Sequence, residues 1–273
     1  MNKTVQPILL IFLLIILLFV GCNKEDSMAF TDSPIIEAYL EPGSYLTVQV
    51  NRQIPFSTDV DYSSDDINNL ALSLTYNNVT HMLMPTDSGR YVDSSILIKE
   101  GDAFNLSFTF NSKSVNAYTY IPSKPTDLTQ SAYTMYVPRM DSASGPPTGT
   151  MSDPVDISWT NTDDSYYLMV IENMEATLDP IRDFGDAEPP GNRFRKSPTN
   201  SSFESIRPME FQYFGTHRII LFHVLPDYAS LYEQNGSSSQ NLTNPSTSIT
   251  NAYGIFTGLN SDTLYMEVKD SSK

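Results

Sequence analysis

The chain has 273 residues, of which 40% are hydrophobic and 11% aromatic, so it can bury a sizeable core in one or two domains. Its formal net charge is −16 at pH 7, from 16 Lys and Arg residues against 32 Asp and Glu residues. Such an acidic protein is repelled by nucleic-acid backbones, and no nucleic-acid partner is predicted. The single cysteine, Cys22, leaves no pair for a disulfide bond within the chain, so the fold must rest on its core.

An unbroken apolar run at residues 8–20 follows a short, weakly basic lead. A membrane-spanning helix needs about 20 apolar residues, and this run is shorter and ends at a small residue. Residues 1–21 are therefore predicted to be a secretory signal peptide. The sequence Phe19-Val20-Gly21-Cys22 resembles a bacterial lipobox, which implies that Cys22 is acylated and becomes the mature N-terminus. A plain membrane anchor, or an ordinary signal followed by an unmodified cysteine, is the alternative.

The residues after Cys22 are polar, and residues 22–33 are predicted to be a flexible tether. Lys24, Glu25 and Asp26 resemble the export signal of Bacteroidota lipoproteins that are moved to the outer face of the outer membrane. An ordinary charged tether is the alternative. Two or more acyl chains hold a protein stably on a bilayer, so we expect a lipid-anchored protein. The resemblance to the export signal implies that it lies on the outer membrane and faces the cell exterior.

Residues 34–122 are predicted to form an N-terminal β-sandwich. Apolar residues alternate with polar ones at Leu46, Val48 and Val50, and this period of two is typical of strands with one buried face. The same alternation recurs in residues 104–110. About seven short strands separated by turns are typical of an immunoglobulin-like sandwich.

Residues 125–270 are predicted to form a second β-rich domain, of immunoglobulin or fibronectin type, after a linker at residues 123–126. The continuous apolar run at residues 166–171 predicts a strand buried on both faces. Separate strands are predicted at residues 211–214, 219–224, 253–256 and 264–268. Pro226 near its start, Asp227 in its first turn and Gly236 after its end predict a short helix near 226–234.

Two segments of this second domain are predicted to be long loops. Residues 179–205 are rich in Pro, Gly, Asn and Ser, and residues 235–248 are rich in Ser, Asn and Thr. Loops of this length often bind partners. Phe184, Phe194 and Phe203 in the first loop are the candidates for an exposed partner-binding surface, and packing of their rings back onto the sheet is the alternative.

The acidic segment at residues 59–65 is the first candidate for a metal site. It contains four oxygen-bearing residues at the odd spacing of a calcium loop, namely Asp59, Asp61, Ser63 and Asp65. That kind of loop also requires glycine at its sixth position and glutamate at its twelfth, where this chain has Ser64 and Leu70. We therefore predict an acidic, solvated loop and no metal site.

The remaining chemistry-bearing residues do not indicate an enzyme. His217 and His223 are six residues apart and are predicted to take opposite or unrelated positions, so they do not form a zinc site. The sequence has no Gly-x-Ser-x-Gly nucleophile motif and no glycine-rich phosphate loop. No catalytic residue and no cofactor is predicted.

Three triplets resemble the acceptor sequence for O-glycosylation in Bacteroidota: Asp26-Ser27-Met28, Asp141-Ser142-Ala143 and Asp262-Thr263-Leu264. The resemblance implies that Ser27, Ser142 and Thr263 are glycosylation sites. Triplets this short also arise by chance.

Five segments, taken in order, carry a resemblance of the mature chain to a known family. They are residues 34–43 (PIIEAYLEPG), 116–122 (NAYTYIP), 166–168 (YYL), the helix after Pro226, and residues 252–256 (AYGIF). This order resembles a Bacteroidota family of outer-membrane lipoproteins described only as a domain of unknown function. The resemblance covers most of residues 34–268.

The resemblance implies a place beside outer-membrane receptors driven by TonB, with an accessory role in uptake or envelope assembly, and it supplies no catalytic residues. The leading hypothesis is therefore a non-enzymatic surface lipoprotein. Its predicted partners are the lipid bilayer, through acylated Cys22, and an outer-membrane β-barrel protein. A stand-alone adhesin or glycan-binding module is the second hypothesis, and a hydrolase is the third.

Overall fold

The computed structural model describes residues 32–53, 65–140, 149–233 and 247–272. The predicted signal peptide, Cys22 and nearly all of the tether lie outside these residues. Most of the described chain is in β-strands arranged in several sheets, which confirms the predicted mostly-β, sandwich-type fold. The described chain from Ser33 onward belongs to one compact unit.

The described residues contain eighteen strands, two α-helices and one 3-10 turn. The strands are β1 (Pro34–Leu40), β2 (Tyr45–Arg52), β3 (Ser73–Tyr76), β4 (Val79–Met82), β5 (Met84–Pro85), β6 (Arg90–Leu97), β7 (Ala103–Phe110), β8 (Lys113–Tyr120), β9 (Thr126–Gln130), β10 (Thr134–Val137), β11 (Val155–Thr160), β12 (Tyr166–Asn173), β13 (Asp179–Pro180), β14 (Arg193–Arg195), β15 (Phe203–Ile206), β16 (Tyr213–Val224), β17 (Ile249–Thr250) and β18 (Tyr253–Asp270). The helices are α1 (Asp65–Asn68) and α2 (Pro226–Glu233), and the 3-10 turn is Pro208–Glu210.

One large sheet extends from the beginning to the end of the described chain. Its strand order is β14-β12-β16-β18-β1-β2-β6-β5, with β10 also paired to β18 and β13 to β16. A five-stranded sheet has the order β17-β8-β7-β3-β4, and a three-stranded sheet has the order β15-β11-β9. Most neighbouring strands are antiparallel, but β18 runs parallel to both β1 and β10.

The first hydrophobic core lies between one half of the large sheet and the five-stranded sheet. Strands β1 and β2 contribute alternate residues such as Ile36 and Val48, and β7 contributes Phe104 and Leu106. The predicted alternation therefore places these apolar side chains inward. Phe256 of β18 is fully buried in the same core, although it lies far along the sequence.

The second hydrophobic core lies between the other half of the large sheet and the three-stranded sheet. Ile157 and Trp159 of β11 pack there with Ile171 of β12, Ile219 of β16 and Met266 of β18. Trp159, the only tryptophan in the chain, is 5% exposed. It therefore reports on the packing of this core.

Strand β18 takes part in both cores. Phe256 packs in the first core, and Met266 and Val268 pack in the second. Because these residues are separated by even numbers of positions, both cores lie on the same side of the large sheet. The other side of the sheet, which we call its outer face, points away from both smaller sheets. The predicted domain boundary at residues 122–125 stays a prediction, and strands from both sides of it share the large sheet.

Two predicted pairs of strands are single long strands in the structure. The segments at residues 211–214 and 219–224 largely merge into β16, and those at 253–256 and 264–268 both lie within β18. Polar residues separate the apolar segments in each case, and the sequence pattern therefore indicated breaks. The backbone is continuous because β16 and β18 pair with each other from Gly215–Val268 to Val224–Leu259.

The predicted helix is confirmed, because α2 occupies Pro226–Glu233. The predicted loop at residues 179–205 is more regular than expected. It contains β13, β14 and the first residues of β15, which pair with β16, β12 and β11. Most of the second predicted loop, residues 235–246, lies outside the described residues.

Candidate functional site

The outer face of the large sheet is apolar where a solvent-facing sheet would be polar. Outward positions of β12 carry Leu168 and Val170, and those of β16 carry Ile220, Phe222 and Val224. A strand with one solvated face alternates apolar and polar residues, whereas a strand covered on both faces does not. Leu168 is buried, as the apolar run at residues 166–171 predicted, whereas Val170 is only half-buried.

Helix α2 covers one end of this face. The Asp227 carboxylate in its first turn accepts hydrogen bonds from the Tyr228 backbone N–H at 2.8 Å and from the Thr257 hydroxyl at 3.0 Å. Burial raises the pKa of the Asp227 carboxyl group. Tyr228 packs against the small apolar cluster that includes Leu259. These contacts attach α2 to β18, and the helix forms one wall above the outer face of the large sheet.

Beside this wall lies an open groove of about 770 Å³, which we call the outer groove. Its floor is apolar, its walls carry two tyrosines and its rim carries three arginines. The defining residues are Val170, Ile220, Phe222, Tyr39, Tyr228, Arg193, Arg195 and Arg218. The cavity has the volume typical of a small-molecule site.

Strand register determines the positions of the charged residues at the rim. Glu172 of β12 lies opposite Arg193 of β14 on one side and Arg218 of β16 on the other. Arg218 donates from Nη2 to Glu172 Oε2 at 2.6 Å, so this pair is closed within the protein. Arg193 is exposed and has no side-chain partner among the described residues. Across these three strands, Arg193 is therefore a free cation beside the neutralised pair of Glu172 and Arg218.

Aromatic side chains connect β1 to β14 across one side of the groove. The Tyr39 and Tyr228 rings meet edge to face with centroids 6.0 Å apart, and the Tyr228 and Tyr232 hydroxyls are 3.2 Å apart. The guanidinium of Arg195 then lies 4.8 Å from the Tyr232 ring centroid. Burial is the main cause that raises the pKa of both Tyr39 and Tyr228. Both hydroxyls therefore stay protonated and able to donate hydrogen bonds at neutral pH.

The charge balance of the outer groove is opposite to that of the chain. Three arginines line it against two acids, Glu41 and Glu172, whereas acids outnumber bases two to one in the whole sequence. Desolvation raises the pKa of the Glu41 carboxyl group. The groove is thus a locally cationic place on an acidic protein, and this focuses attraction for anions there.

The three phenylalanines predicted as a partner-binding surface lie in different environments. Phe194 packs against the second core, edge to face with Phe211 at 5.6 Å, and also lines the outer groove. Phe184 is half-buried, with its ring 6.5 Å from that of Tyr213. Phe203 is 59% exposed and lines a separate cleft of about 500 Å³. Their binding of a partner stays a prediction.

The predicted modification sites fall mostly outside the described residues. Cys22, the export residues Lys24, Glu25 and Asp26, and the glycosylation candidates Ser27 and Ser142 are among them. Thr263 is described: it is half-buried on the outer face of β18, opposite Ile220 of β16. The glycosylation of all three candidates stays a prediction.

The described residues contain no group of three or more His, Cys, Asp or Glu side chains that could hold a metal ion. The predicted acidic segment lies outside them, apart from Asp65 at the start of α1. Of the expected opposite or unrelated positions of His217 and His223, the opposite orientation is wrong, because their even spacing on β16 points both toward the core. About 20 Å still separates them along the strand.

The two histidines have different packing roles. His217 accepts or donates hydrogen bonds with the Asn173 side chain at 3.3 Å and the Gly215 carbonyl at 3.0 Å. His223 is stacked on Tyr167, with ring centroids 4.9 Å apart, and its Nδ1 lies 2.8 Å from the Ser123 carbonyl. Both therefore serve the packing of β16.

The outer groove was not predicted from the sequence, although one signal for it was present. Strands β12 and β16 are apolar on both faces, which indicates that something covers the outer face in addition to the core. Arg193 and Arg195 carried no such signal, because they lie in a segment without periodicity. Only the pairing of β14 with β12 brings them to the groove.

Comparison with known proteins adds no relative: no protein-family model matches the chain, and no curated protein matches it. Among the described residues, no helix has the length and apolar character needed to cross a membrane.

Proposed function

We propose that this chain is a non-enzymatic, lipid-anchored lipoprotein of the outer membrane that binds a ligand in the outer groove. In this proposal it faces the cell exterior and serves as an accessory to an outer-membrane β-barrel receptor of the TonB-dependent class. The lipobox-like sequence before Cys22 supports the anchor, and the resemblance to the Bacteroidota lipoprotein family supports the receptor as partner.

The observation that carries the binding function is the outer groove itself. A sheet face that only contacted water would not present Val170, Ile220 and Phe222 together. Ligand sites are concave and mainly apolar, with a few polar groups that orient the ligand. The groove combines an apolar floor with polar groups at its sides, Tyr39 and Arg193 among them.

Replacing Cys22 by alanine is expected to release most of the protein from the membrane fraction, because the acyl chains would have no attachment site. Fractionation of cells followed by immunoblotting measures this. Ser27→Ala, a substitution in the same tether, is the matched control and should leave the protein in the membrane. Full membrane retention of the Cys22→Ala variant would contradict the lipid anchor.

Affinity purification from gently solubilised outer membranes tests both partners of the proposal. We expect a stoichiometric β-barrel receptor in the eluate and, by native mass spectrometry, a small molecule bound to the lipoprotein. Val170→Trp fills the floor of the groove and should remove the small molecule. Leu97→Trp, at an exposed position of β6, should retain it. An unchanged bound mass in Val170→Trp would place the ligand elsewhere.

One observation favours the second candidate, a stand-alone glycan-binding module. The outer side of the five-stranded sheet exposes Tyr118 and Tyr120 beside Asn105 and Asn116, without a charged residue among them. Aromatic rings and amides are suited to neutral, hydroxyl-rich ligands. A lipoprotein that elutes without a receptor would favour this candidate, and glycan arrays would then test it.

A further inference from the structure

We infer that the ligand of the outer groove is a small amphiphilic anion: an apolar chain or ring that carries a carboxylate or phosphate group. This inference rests on the proposed function, in which the groove is the binding site. It adds the chemical class of the ligand, and it follows from the floor, the rim and the unused donors of the groove.

The floor of the groove selects an apolar body. Val170 and Ile220 are neighbours across β12 and β16, and Leu168 and Phe222 are neighbours one step further along the same strands. These four side chains form a continuous apolar strip on the outer face. An apolar chain laid on this strip removes its own surface and that of the strip from water, which is favourable in proportion to the area.

The volume of the groove indicates a small molecule. About 770 Å³ lies within the usual volume range of ligand pockets. Because the groove is open, a ligand bound there would keep part of its surface in water. Helix α2 closes one side, and Tyr39 and Glu41 bound another.

The rim selects an anionic group. Arg193 and Arg195 are both exposed on β14, two residues apart, and so extend from the same side of that strand. Their strand lies at the edge of the sheet, next to the apolar strip. Guanidinium groups bind carboxylate and phosphate through paired, charge-assisted hydrogen bonds. The groove therefore places two adjacent arginines beside an apolar floor, and this arrangement is complementary to an anion with an apolar body.

Several donors at the rim are not used within the protein. Arg193 has no side-chain partner among the described residues, and Arg195 stacks on Tyr232 without an acidic partner among them. Arg139 of the same chain shows the contrast, since its guanidinium binds both Asp179 and Asp270. Arg193 and Arg195 therefore keep capacity for an oxyanion.

Isothermal titration calorimetry of the purified full chain with decanoate, decan-1-ol and acetate tests the inference, at one fixed detergent concentration. Decanoate and decan-1-ol share the apolar chain, and acetate supplies the carboxylate alone. We expect decanoate to bind at least tenfold more tightly than decan-1-ol. Acetate should bind at least a hundredfold more weakly than decanoate. Titration with decyl phosphate in place of decanoate then shows whether the groove binds a phosphate or a carboxylate group more tightly.

Two double variants, each of which removes two positive charges, test whether the affinity for decanoate depends on Arg193 and Arg195. Arg193→Gln/Arg195→Gln should weaken decanoate binding by tenfold or more and change decan-1-ol binding by less than twofold. The control, Arg90→Gln/Lys113→Gln, removes two exposed cations outside the groove and should leave both affinities unchanged. Circular dichroism of each variant checks that the fold is retained.

The outcomes separate this inference from the proposed function. Equal binding of decanoate and decan-1-ol, or no loss in the Arg193→Gln/Arg195→Gln variant, overturns the anionic class. If Val170→Trp still removes a co-purified small molecule in that case, the groove remains the ligand site. Failure of both amphiphiles to bind the unaltered chain overturns the inference, and an unchanged co-purified mass in Val170→Trp overturns the groove as the site.

Discussion

Replacing Gly254 by alanine is expected to lower the free energy of unfolding by about 3 kcal/mol or more. Gly254 lies opposite Ile36 in the parallel pair of β18 and β1. Its φ is +103°, which residues other than glycine rarely adopt. A Cβ atom there would lie 1.9 Å from the Ile36 carbonyl oxygen, and the backbone would have to move. Both strain at this φ and the clash destabilise the junction between β1 and β18.

Chemical denaturation of purified protein, followed by far-UV circular dichroism, measures this loss. Trp159 fluorescence recorded in parallel shows whether the second core unfolds in the same transition. Gly191→Ala is the matched control, because its Cβ would have no atom within 4 Å and its φ is ordinary. It should stay within about 0.5 kcal/mol of the unaltered protein. A Gly254→Ala protein of equal stability would contradict the tight approach of β18 to β1.

Acidification is expected to remove roughly 3 kcal/mol of stability between pH 6.5 and pH 4 through His217 alone. Burial lowers the pKa of His217 to about 4, from an ordinary value of 6.5, and the nearby Glu175 carboxylate and the Gly215 carbonyl oppose this only in part. The ring is 3% exposed and lies against Phe211. Because the unfolded state takes up the proton first, stability is complete above pH 6.5 and falls as the pH drops toward 4.

Unfolding free energies at several pH values between 4 and 7 test this expectation. The His217→Gln variant should be less stable at pH 7 and should lose much less stability on acidification. Asp93 and Asp270, whose pKa values are lowered, begin to add losses as the pH falls through the ordinary carboxyl range, below about pH 5. An unchanged slope in His217→Gln would contradict a buried neutral ring.

Side-chain periodicity predicted the local structure well where one face of a strand is buried. Leu46, Val48 and Val50 alternate in the sequence and point into the first core. Pro226 and Asp227 likewise indicated where α2 begins. The predicted breaks within β16 and β18 were wrong, because polar residues in a strand do not end it when neighbouring strands supply hydrogen-bond partners.

The mostly-β, sandwich-type fold, the inward-facing residues and the helix could all be predicted from the amino-acid pattern, because they depend on near neighbours in the chain. The pairing of the strands emerged only from the folded chain. It placed Phe256 in the first core, although the sequence assigned it to the second half. It also brought Arg193 and Arg195 beside Val170, through the register of β14 against β12. Such pairings join residues far apart in sequence, and no local pattern encodes them.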